Sequence, residues 1–191
     1  MNQVMEMLRL VPGASEDDAV TRLSTLFEMM SRAKGFHEAE VLRSTEEAGL
    51  LLVLHMWDSI DDWHAFQSSD MKIAFSASRP AFLYAFVPCG MNWLVQSGLG
   101  RGQDGAFLRR QVIREPLTPH LGPDVVSSQT FSYQDYEPAL ADAMLRLTRL
   151  RSAPSQPKLT GECVLTDDVY ESVHRHGSAK TPADSYLTAG G

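Results

Sequence analysis

Apolar and polar positions in the first 35 residues follow the periods of a strand and an amphipathic helix. Residues 4–10 alternate, with Val4, Glu6, Leu8 and Leu10 on one face, and this alternation predicts a strand. Ser15 precedes a segment reaching to about residue 32 whose apolar residues recur at helical spacing, which predicts a helix capped at its N-terminus. That apolar stripe consists of Val20, Leu23, Phe27 and Met30. Lys34-Gly35 provides a cation and a glycine suited to end the helix.

The clearest sequence signal is a strand followed by a helix in the stretch 50–66, after a second predicted strand at 36–44. Residues 50–54 form an unbroken apolar run that is too short to span a membrane. Asp58-Ser59 then signals a helix N-cap, and Ile60, Trp63 and Phe66 recur at helical spacing. We therefore expect a buried central strand and a helix that packs back on it.

Residues 70–78 are expected to extend this helical region, and residues 91–96 predict a fourth strand. The apolar segment 81–87 fits a helix or a strand, and a helical turn is favoured. The order through residue 98 is then β-α-β-β-α-β, the split βαβ pattern of ferredoxin-like domains.

Four glycines between residues 98 and 105 predict a linker, and hence domains at 1–98 and 99–176 and a flexible tail at 177–191. In the second domain the pattern predicts strands at 107–114, 125–133 and 159–165, a helix at 135–151 and a last helix at 167–176 that is capped by Asp167. The longer helix is inferred from Tyr136, Leu140, Ala143, Met144, Leu147 and Leu150. This order is compatible with a degenerate second copy of the first domain, although the two halves are too dissimilar in sequence to establish a repeat.

Composition indicates an ordinary globular protein of 191 residues with a formal charge of −7. Residues 1–70 contain five basic and 13 acidic residues, and no basic stripe favours nucleic acid as a partner. The two cysteines lack CxxC spacing, the N-terminus lacks a signal-peptide pattern, and no stretch is long enough for a membrane span. We therefore expect a cytoplasmic protein with neither nucleic acid nor membrane as partner.

Three short segments of the first half carry a resemblance that spans about residues 3–96. They are Lys34-Gly-Phe36, Val41-Leu-Arg-Ser44, and Leu52–Ser59 leading into Trp63, Phe66 and Ser69-Asp70. These segments resemble the antibiotic biosynthesis monooxygenase family of dimeric α/β barrels. The resemblance implies an α+β, ferredoxin-like dimeric α/β barrel with an antiparallel sheet and helices on one face. It also implies a homodimer, or a pseudo-dimeric monomer if one chain holds two degenerate copies.

The family's activities set the expectations for cofactors. Some members oxidise polyketide quinol precursors with molecular oxygen and neither metal nor flavin, whereas others degrade haem by means of an Asn, a Trp and a haem-ligating His. Those three positions fall on Leu8, Phe66 and Ser76 in this sequence, and all depart from the haem pattern. The resemblance therefore implies no cofactor and disfavours haem.

His55 and Asn92 are the candidate catalytic residues, and Trp57, Trp63, Phe66 and Arg9 are the candidate substrate-binding residues. An imidazole titrates near neutrality and so suits a general base, and an amide at position 92 suits a substrate carbonyl or a peroxy intermediate. Each candidate has a structural alternative: His55 as a core histidine with a satisfied partner, Asn92 as an ordinary strand-end amide, and Arg9 as one member of a surface ion pair.

His174 and His176 are not expected to bind metal, because residues two apart do not share a helix face and no third ligand is nearby. The sequence therefore favours a cofactor-independent monooxygenase for a small apolar or aromatic molecule. A haem-binding or haem-degrading protein and a non-catalytic ligand-binding or dimerisation module stay open as alternatives.

Overall fold

A computed structural model describes residues 2–78, 83–84, 91–95, 105–114, 123–132, 143–154 and 164–177. These residues form three helices, α1 (Glu16–Met30), α2 (Ile60–Gln67) and α3 (Asp70–Ala77). They also form nine strands: β1 (Asn2–Leu10), β2 (Phe36–Ser44), β3 (Leu50–Trp57), β4 (Leu83–Tyr84), β5 (Met91–Val95), β6 (Phe107–Ile113), β7 (Val125–Ser132), β8 (Met144–Leu150) and β9 (Val164–Gly177). No helix in these ranges is long and apolar enough to cross a membrane.

The strands form one open antiparallel sheet in the order β4-β1-β3-β2-β9-β6-β8-β7, with β5 also paired to β1. Along the first half the order is therefore β5-β1-β3-β2, and along the second half it is β9-β6-β8-β7. In the first half β5 lies beside β1, and β3 and β2 follow. In the second half β9 lies beside β6, and β8 and β7 follow, so the two halves have the same strand order. The two halves meet where β2 pairs with β9.

The local signals of the first half place its elements as expected. Ser15 accepts a hydrogen bond from the backbone N–H of Asp18, and Ser59 accepts one from the N–H of Asp62, so each serine caps the helix that follows. The second strand has the predicted bounds, and the predicted third and fourth strands are also present. Helix α1 ends earlier than the glycine signal suggested, at Met30 with Ser31 as C-cap.

Gly35 instead serves the turn that leads into β2, where its φ is +77°. A Cβ at this position would lie 2.7 Å from Asp62 Cγ, and the Gly35 carbonyl accepts a hydrogen bond from Asp58 N at 2.7 Å. The absence of a side chain at position 35 therefore lets this turn contact the start of α2 closely.

Two apolar clusters cover the two faces of the sheet. On the helix-covered face, side chains of β1 and β3 such as Val4, Leu51 and Val53 pack with α1 and α2, and with Met71 and Phe75 of α3. On the opposite, inner face, side chains of both halves form a second cluster: Met5, Met7, Leu42, Leu50, Leu52, Leu54, Leu108, Val112, Ala143, Leu145, Leu147 and Tyr170. The predicted α+β class, with an antiparallel sheet and helices on one face, is confirmed.

The sheet bends toward its inner face. Arg149 on β8 donates to Glu40 on β2, although three strand spacings separate these strands, roughly 14 Å in a flat sheet. Arg175 on β9 donates to the same carboxylate at 2.8 Å. One buried carboxylate of the first half thus binds two guanidinium groups of the second half.

The predicted helix at 135–151 is wrong over its last part, because residues 144–150 form β8. Leu145 and Leu147 lie in the inner cluster, and the intervening Arg146 is buried on the other face. Since the arginines on both faces of this strand are buried, their polarity does not mark a solvent side and the period of two is hidden in the sequence.

The predicted helix at 167–176 is also wrong, because these residues belong to β9. Asp167, read from sequence as a helix cap, is a strand residue whose carboxylate binds Arg109. The argument from the helix face against metal binding also fails, because in a strand His174 and His176 do share a face. His174 stacks on Phe27 of α1, and His176 packs near Phe36.

Residues 70–77 form a separate helix, α3, rather than a continuation of α2, because Ser69 caps a new N-terminus. In the segment 81–87, where a helical turn was favoured, residues 83–84 instead pair with β1 as strand β4. The rest of that segment, most of the predicted strand at 159–165, nearly all of the linker and nearly all of the tail lie outside the described residues.

Candidate functional site

His55 is the centre of a buried polar group on the helix-covered face of the first half. Trp57 Nε1 donates to His55 Nδ1 at 2.7 Å, so a neutral imidazole holds its proton on Nε2. His55 Nε2 lies 3.5 Å from Glu6 Oε1. The side chains of His55 and Glu6 are 3% and 16% exposed, so the carboxylate is the more accessible member of the pair.

Strand register brings these three residues together. Val4 of β1 pairs directly with His55 of β3, and Glu6 pairs with Val53. Side chains two apart on a strand share a face, so Glu6 and His55 meet diagonally and Trp57 follows His55 on the same side. The alternation of β3 predicted that His55 and Trp57 share a face.

Aromatic rings form the apolar surroundings of this pair. Trp57 is fully buried, with its ring centroid 5.3 Å from that of Phe36 and 5.6 Å from that of Phe66. Trp63 and Phe66 project from α2 into the same cluster and are 4% and 3% exposed. The structure thus brings Trp57, Trp63 and Phe66, all predicted to bind substrate, onto the face that carries His55.

Arg9 is not part of this group. Met5, Met7 and Arg9 alternate with the residues of the helix-covered face, so Arg9 lies on the opposite face of β1 from Glu6. Its guanidinium forms an exposed ion pair with Glu47.

Asn92 is placed by register only. It pairs with Met5, whereas the next residue, Trp93, pairs with Val4 and is thereby in line with His55 across β1. The side chain of Asn92 lies outside the described residues, so its catalytic role stays a prediction.

The positions that correspond to the haem pattern do not fit that group. Leu8 and Phe66 lie in the apolar cluster, and Ser76 lies on α3. None of the three offers a ring nitrogen to an iron atom. Within the described ranges no cluster of three or more His, Cys, Asp or Glu side chains is arranged to hold a metal ion.

Glu6 is the site residue that sequence reasoning missed. Its position on the same face as Val4 and Leu8 was readable from the alternation of β1, but its partner was not. Only the antiparallel register of β1 and β3 shows that Glu6 of β1 lies next to His55 of β3.

Together these features define an α+β protein with two ferredoxin-like strand orders in one sheet and a buried histidine beside a partly buried carboxylate under its helices. Residues 1–78 match the model of the antibiotic biosynthesis monooxygenase family. The resemblance predicted from the sequence is therefore confirmed over these residues. No curated protein matches the chain.

Solved structures similar to this chain extend over both halves. An anthrone oxidase-like protein aligns with a TM-score of 0.53 and 11% identity, and the alignment covers 94% of each chain. A candidate monooxygenase from Fusobacterium nucleatum subsp. nucleatum aligns with a TM-score of 0.57 and 8% identity, over 92% of this chain and 94% of the other. At these identities the likeness concerns the fold, and it includes the second half that the family model leaves unmatched.

Proposed function

We propose that the first half of this chain is a cofactor-independent monooxygenase that oxidises a small apolar or aromatic molecule. The family match over residues 1–78 and the two structural neighbours support this class of reaction. The observation that carries the proposal is the His55–Glu6 pair, a titratable pair held within an aromatic cluster. A carboxylate and an imidazole side by side can take a proton from a bound substrate.

The chemistry requires a substrate that supplies all the electrons. A methylene group activated by an aromatic ring loses one proton to the base, and the carbanion transfers electrons to molecular oxygen and forms a C–O bond. Protonation gives a hydroperoxide. Loss of the second C–H proton then breaks the O–O bond, which leaves a carbonyl group and releases water. One methylene group and one molecule of oxygen thus give one carbonyl group and one molecule of water, so no external reductant is needed.

We assign the base to the His55–Glu6 pair rather than to His55 alone. The Trp57 N–H occupies His55 Nδ1, and His55 Nε2 lies 3.5 Å from Glu6 Oε1. Glu6 is the more exposed group and accepts the substrate proton, while the neighbouring imidazole of His55 orients the carboxylate. Trp63 and Phe66 supply apolar contacts to the substrate. Asn92 and Arg9 stay predictions outside this assignment.

Anthrone is the probe for this proposal, because its conversion to anthraquinone is the balanced reaction above. The wild-type protein is expected to consume one molecule of oxygen per anthrone, followed with an oxygen electrode and by anthraquinone absorbance. We expect Glu6→Gln and His55→Gln to lower kcat about 100-fold or more, with little change in KM. His37→Gln is the matched control, since His37 pairs with Asp58 at the surface, and it should retain the wild-type rate.

Two results would count against the proposal. If the His55→Gln variant and the Glu6→Gln variant both consume oxygen at the wild-type rate, the pair takes no part in the mechanism. No turnover above the uncatalysed rate for anthrone and a panel of oxidisable phenols would favour a non-catalytic binding module. Quenching of tryptophan fluorescence by the same compounds would then test binding alone.

We also propose that one chain supplies both halves of the barrel-like assembly that the family builds from two subunits. The repeated strand order and the β2–β9 pairing support this arrangement. Residues 99–176 are then a degenerate copy of residues 1–98, as the sequence pattern allowed. Cytoplasmic location stays a prediction.

A further inference from the structure

The core of the first half encloses Trp57 completely. Its side chain is fully buried, although the sequence made it a candidate for substrate binding. An indole ring with no exposed surface offers no face to a ligand. Its N–H still requires an acceptor, because a buried donor without one is destabilising. The partner of this N–H therefore indicates what the residue does.

That partner is His55. Trp57 Nε1 donates to His55 Nδ1 at 2.7 Å, and the two rings are nearly perpendicular, at 86°, with centroids 6.1 Å apart. Both residues lie on β3 two positions apart, so their side chains project from the same face of the sheet. The strand itself thus sets the spacing of donor and acceptor.

Two aromatic rings hold the indole in this orientation. The ring of Phe36 meets it edge-on at 74°, and the ring of Phe66 lies tilted at 34° to it. Phe36 belongs to β2 and Phe66 to α2, so the indole is held from the neighbouring strand and from the helix above. A rotation that broke the hydrogen bond would have to displace one of these packed rings.

The neighbours of His55 in the sheet offer no substitute for this hydrogen bond. Val4 of β1 and Ala39 of β2 flank His55, and both are buried. Neither side chain can donate a hydrogen bond to the imidazole or accept one from it. The orientation of the imidazole therefore depends on the Trp57 N–H.

A hydrogen bond to one ring nitrogen decides where a neutral imidazole carries its proton. Because His55 Nδ1 accepts, the proton lies on Nε2, the nitrogen that is 3.5 Å from Glu6 Oε1. In the other tautomer Nε2 would present a lone pair towards Glu6, and His55 could itself take a proton there. Trp57 thereby determines which member of the pair can act as the base.

We propose that Trp57 is a positioning residue that fixes the tautomer of His55 and so assigns the role of base to Glu6. It contacts no substrate and acts only through His55. Its effect on the rate rests on the oxidation proposed above, whereas the tautomer is a property of the ligand-free protein.

Nitrogen NMR of the 15N-labelled protein tests the tautomer without any substrate. Protonated and unprotonated imidazole nitrogens resonate in separate regions, and the signals missing from His55→Gln identify those of His55. We expect Nδ1 to be unprotonated, Nε2 to be protonated, and a scalar coupling across the hydrogen bond to join Trp57 Nε1 to His55 Nδ1. A wild-type protein whose neutral His55 carries its proton on Nδ1 would overturn the proposal.

Trp57→Phe removes the donor but keeps an aromatic ring. We expect the nitrogen signals of His55 to move towards values averaged over both tautomers. Trp63→Phe is the matched control, because Trp63 is a buried indole of the same cluster whose ring contacts His64, and it should leave these signals in place. Benzothienylalanine at position 57 has a sulfur in place of the N–H and nearly the shape of the indole. It should reproduce the effect of Trp57→Phe without a packing defect.

Kinetics with anthrone separate positioning from substrate contact. We expect both changes at position 57 to lower kcat about tenfold with KM unchanged. A raised KM at unchanged kcat would make Trp57 a substrate-binding residue and overturn the proposal, as would His55 signals that stay in place in both variants. If the wild type does not oxidise anthrone, the proposed oxidation fails on its own, and the NMR signals still decide the tautomer.

Discussion

Asp62 combines three local interactions at the start of α2. Its backbone N–H donates to Ser59 Oγ, its carboxylate accepts from the same hydroxyl, and Lys34 Nζ lies 3.4 Å from it. The hydrogen bond from Ser59, assisted by Lys34, holds the pKa of Asp62 below its ordinary value of 3.8. A depressed pKa means that folding favours the ionised carboxylate.

The sign of this shift predicts a pH dependence of stability. The contribution of Asp62 is fully present above pH 3.8 and is lost as pH falls through the lower folded pKa. We expect Asp62→Asn to be less stable than the wild type at neutral pH, with a difference that shrinks below pH 3.8. Urea unfolding from pH 7 to pH 2 measures this.

Asp61→Asn is the control for that experiment, because it removes the same charge from the same helical turn. The difference between the two variants separates the contacts of Asp62 with Ser59 and Lys34 from the interaction with the helix dipole. Identical pH profiles for both variants would contradict the role assigned to the hydrogen bond.

Single residues were predictable where a local rule governs them. Ser15 and Ser59 are helix caps in the structure because capping depends on a few neighbouring residues. The shared face of His55 and Trp57 followed from the period of a strand. The contact of His55 with Glu6 was not predictable, because the two residues are joined by a register between strands that are far apart in sequence.

At the scale of elements, the strands of the second half show why pattern reasoning failed there. Strand β8 has buried arginines on both faces, Arg146 and Arg149, and in β9 Asp167 is buried against Arg109. Each of these ion pairs or polar contacts replaces an apolar residue that would have revealed the alternation. The partners of Arg149 and Asp167 lie on other strands, so this compensation is visible only in the folded chain.

The Glu40 cluster connects three strands and predicts a large effect on stability. Glu40→Gln leaves Arg149 and Arg175 without the carboxylate that both contact. Breaking a buried ion pair by removing one partner costs about 3–5 kcal/mol, so we expect the free energy of unfolding to fall by about 3 kcal/mol. Equilibrium unfolding in urea measures it.

Glu171→Gln is the matched control, since Glu171 pairs with Arg43 between β9 and β2 at an exposed position. An exposed ion pair contributes about 0–1 kcal/mol, and the control should lose no more than that. Equal losses in the two variants would show that the contacts of Glu40 do not hold the halves together.

For the whole molecule, the pairing of β2 predicts a monomer. Strand β2 has β3 on one side and β9 on the other, so both of its edges are occupied within one chain. We expect light scattering to give the mass of a single chain, 21.2 kDa, at all concentrations from micromolar to millimolar. A mass that rises to twice this value with concentration would instead support a homodimer.

The β2–β9 junction has a consequence for how the helix-covered face of the first half and the corresponding face of the second half evolve. In a symmetric homodimer every substitution appears in both subunits, so both pockets change together. In this chain the two halves are encoded by separate codons, so a substitution alters the face of one half and leaves that of the other half unchanged. One face carries Trp57 and Phe66 while the other carries Gln111 and Arg146, and neither set of side chains is imposed on its counterpart.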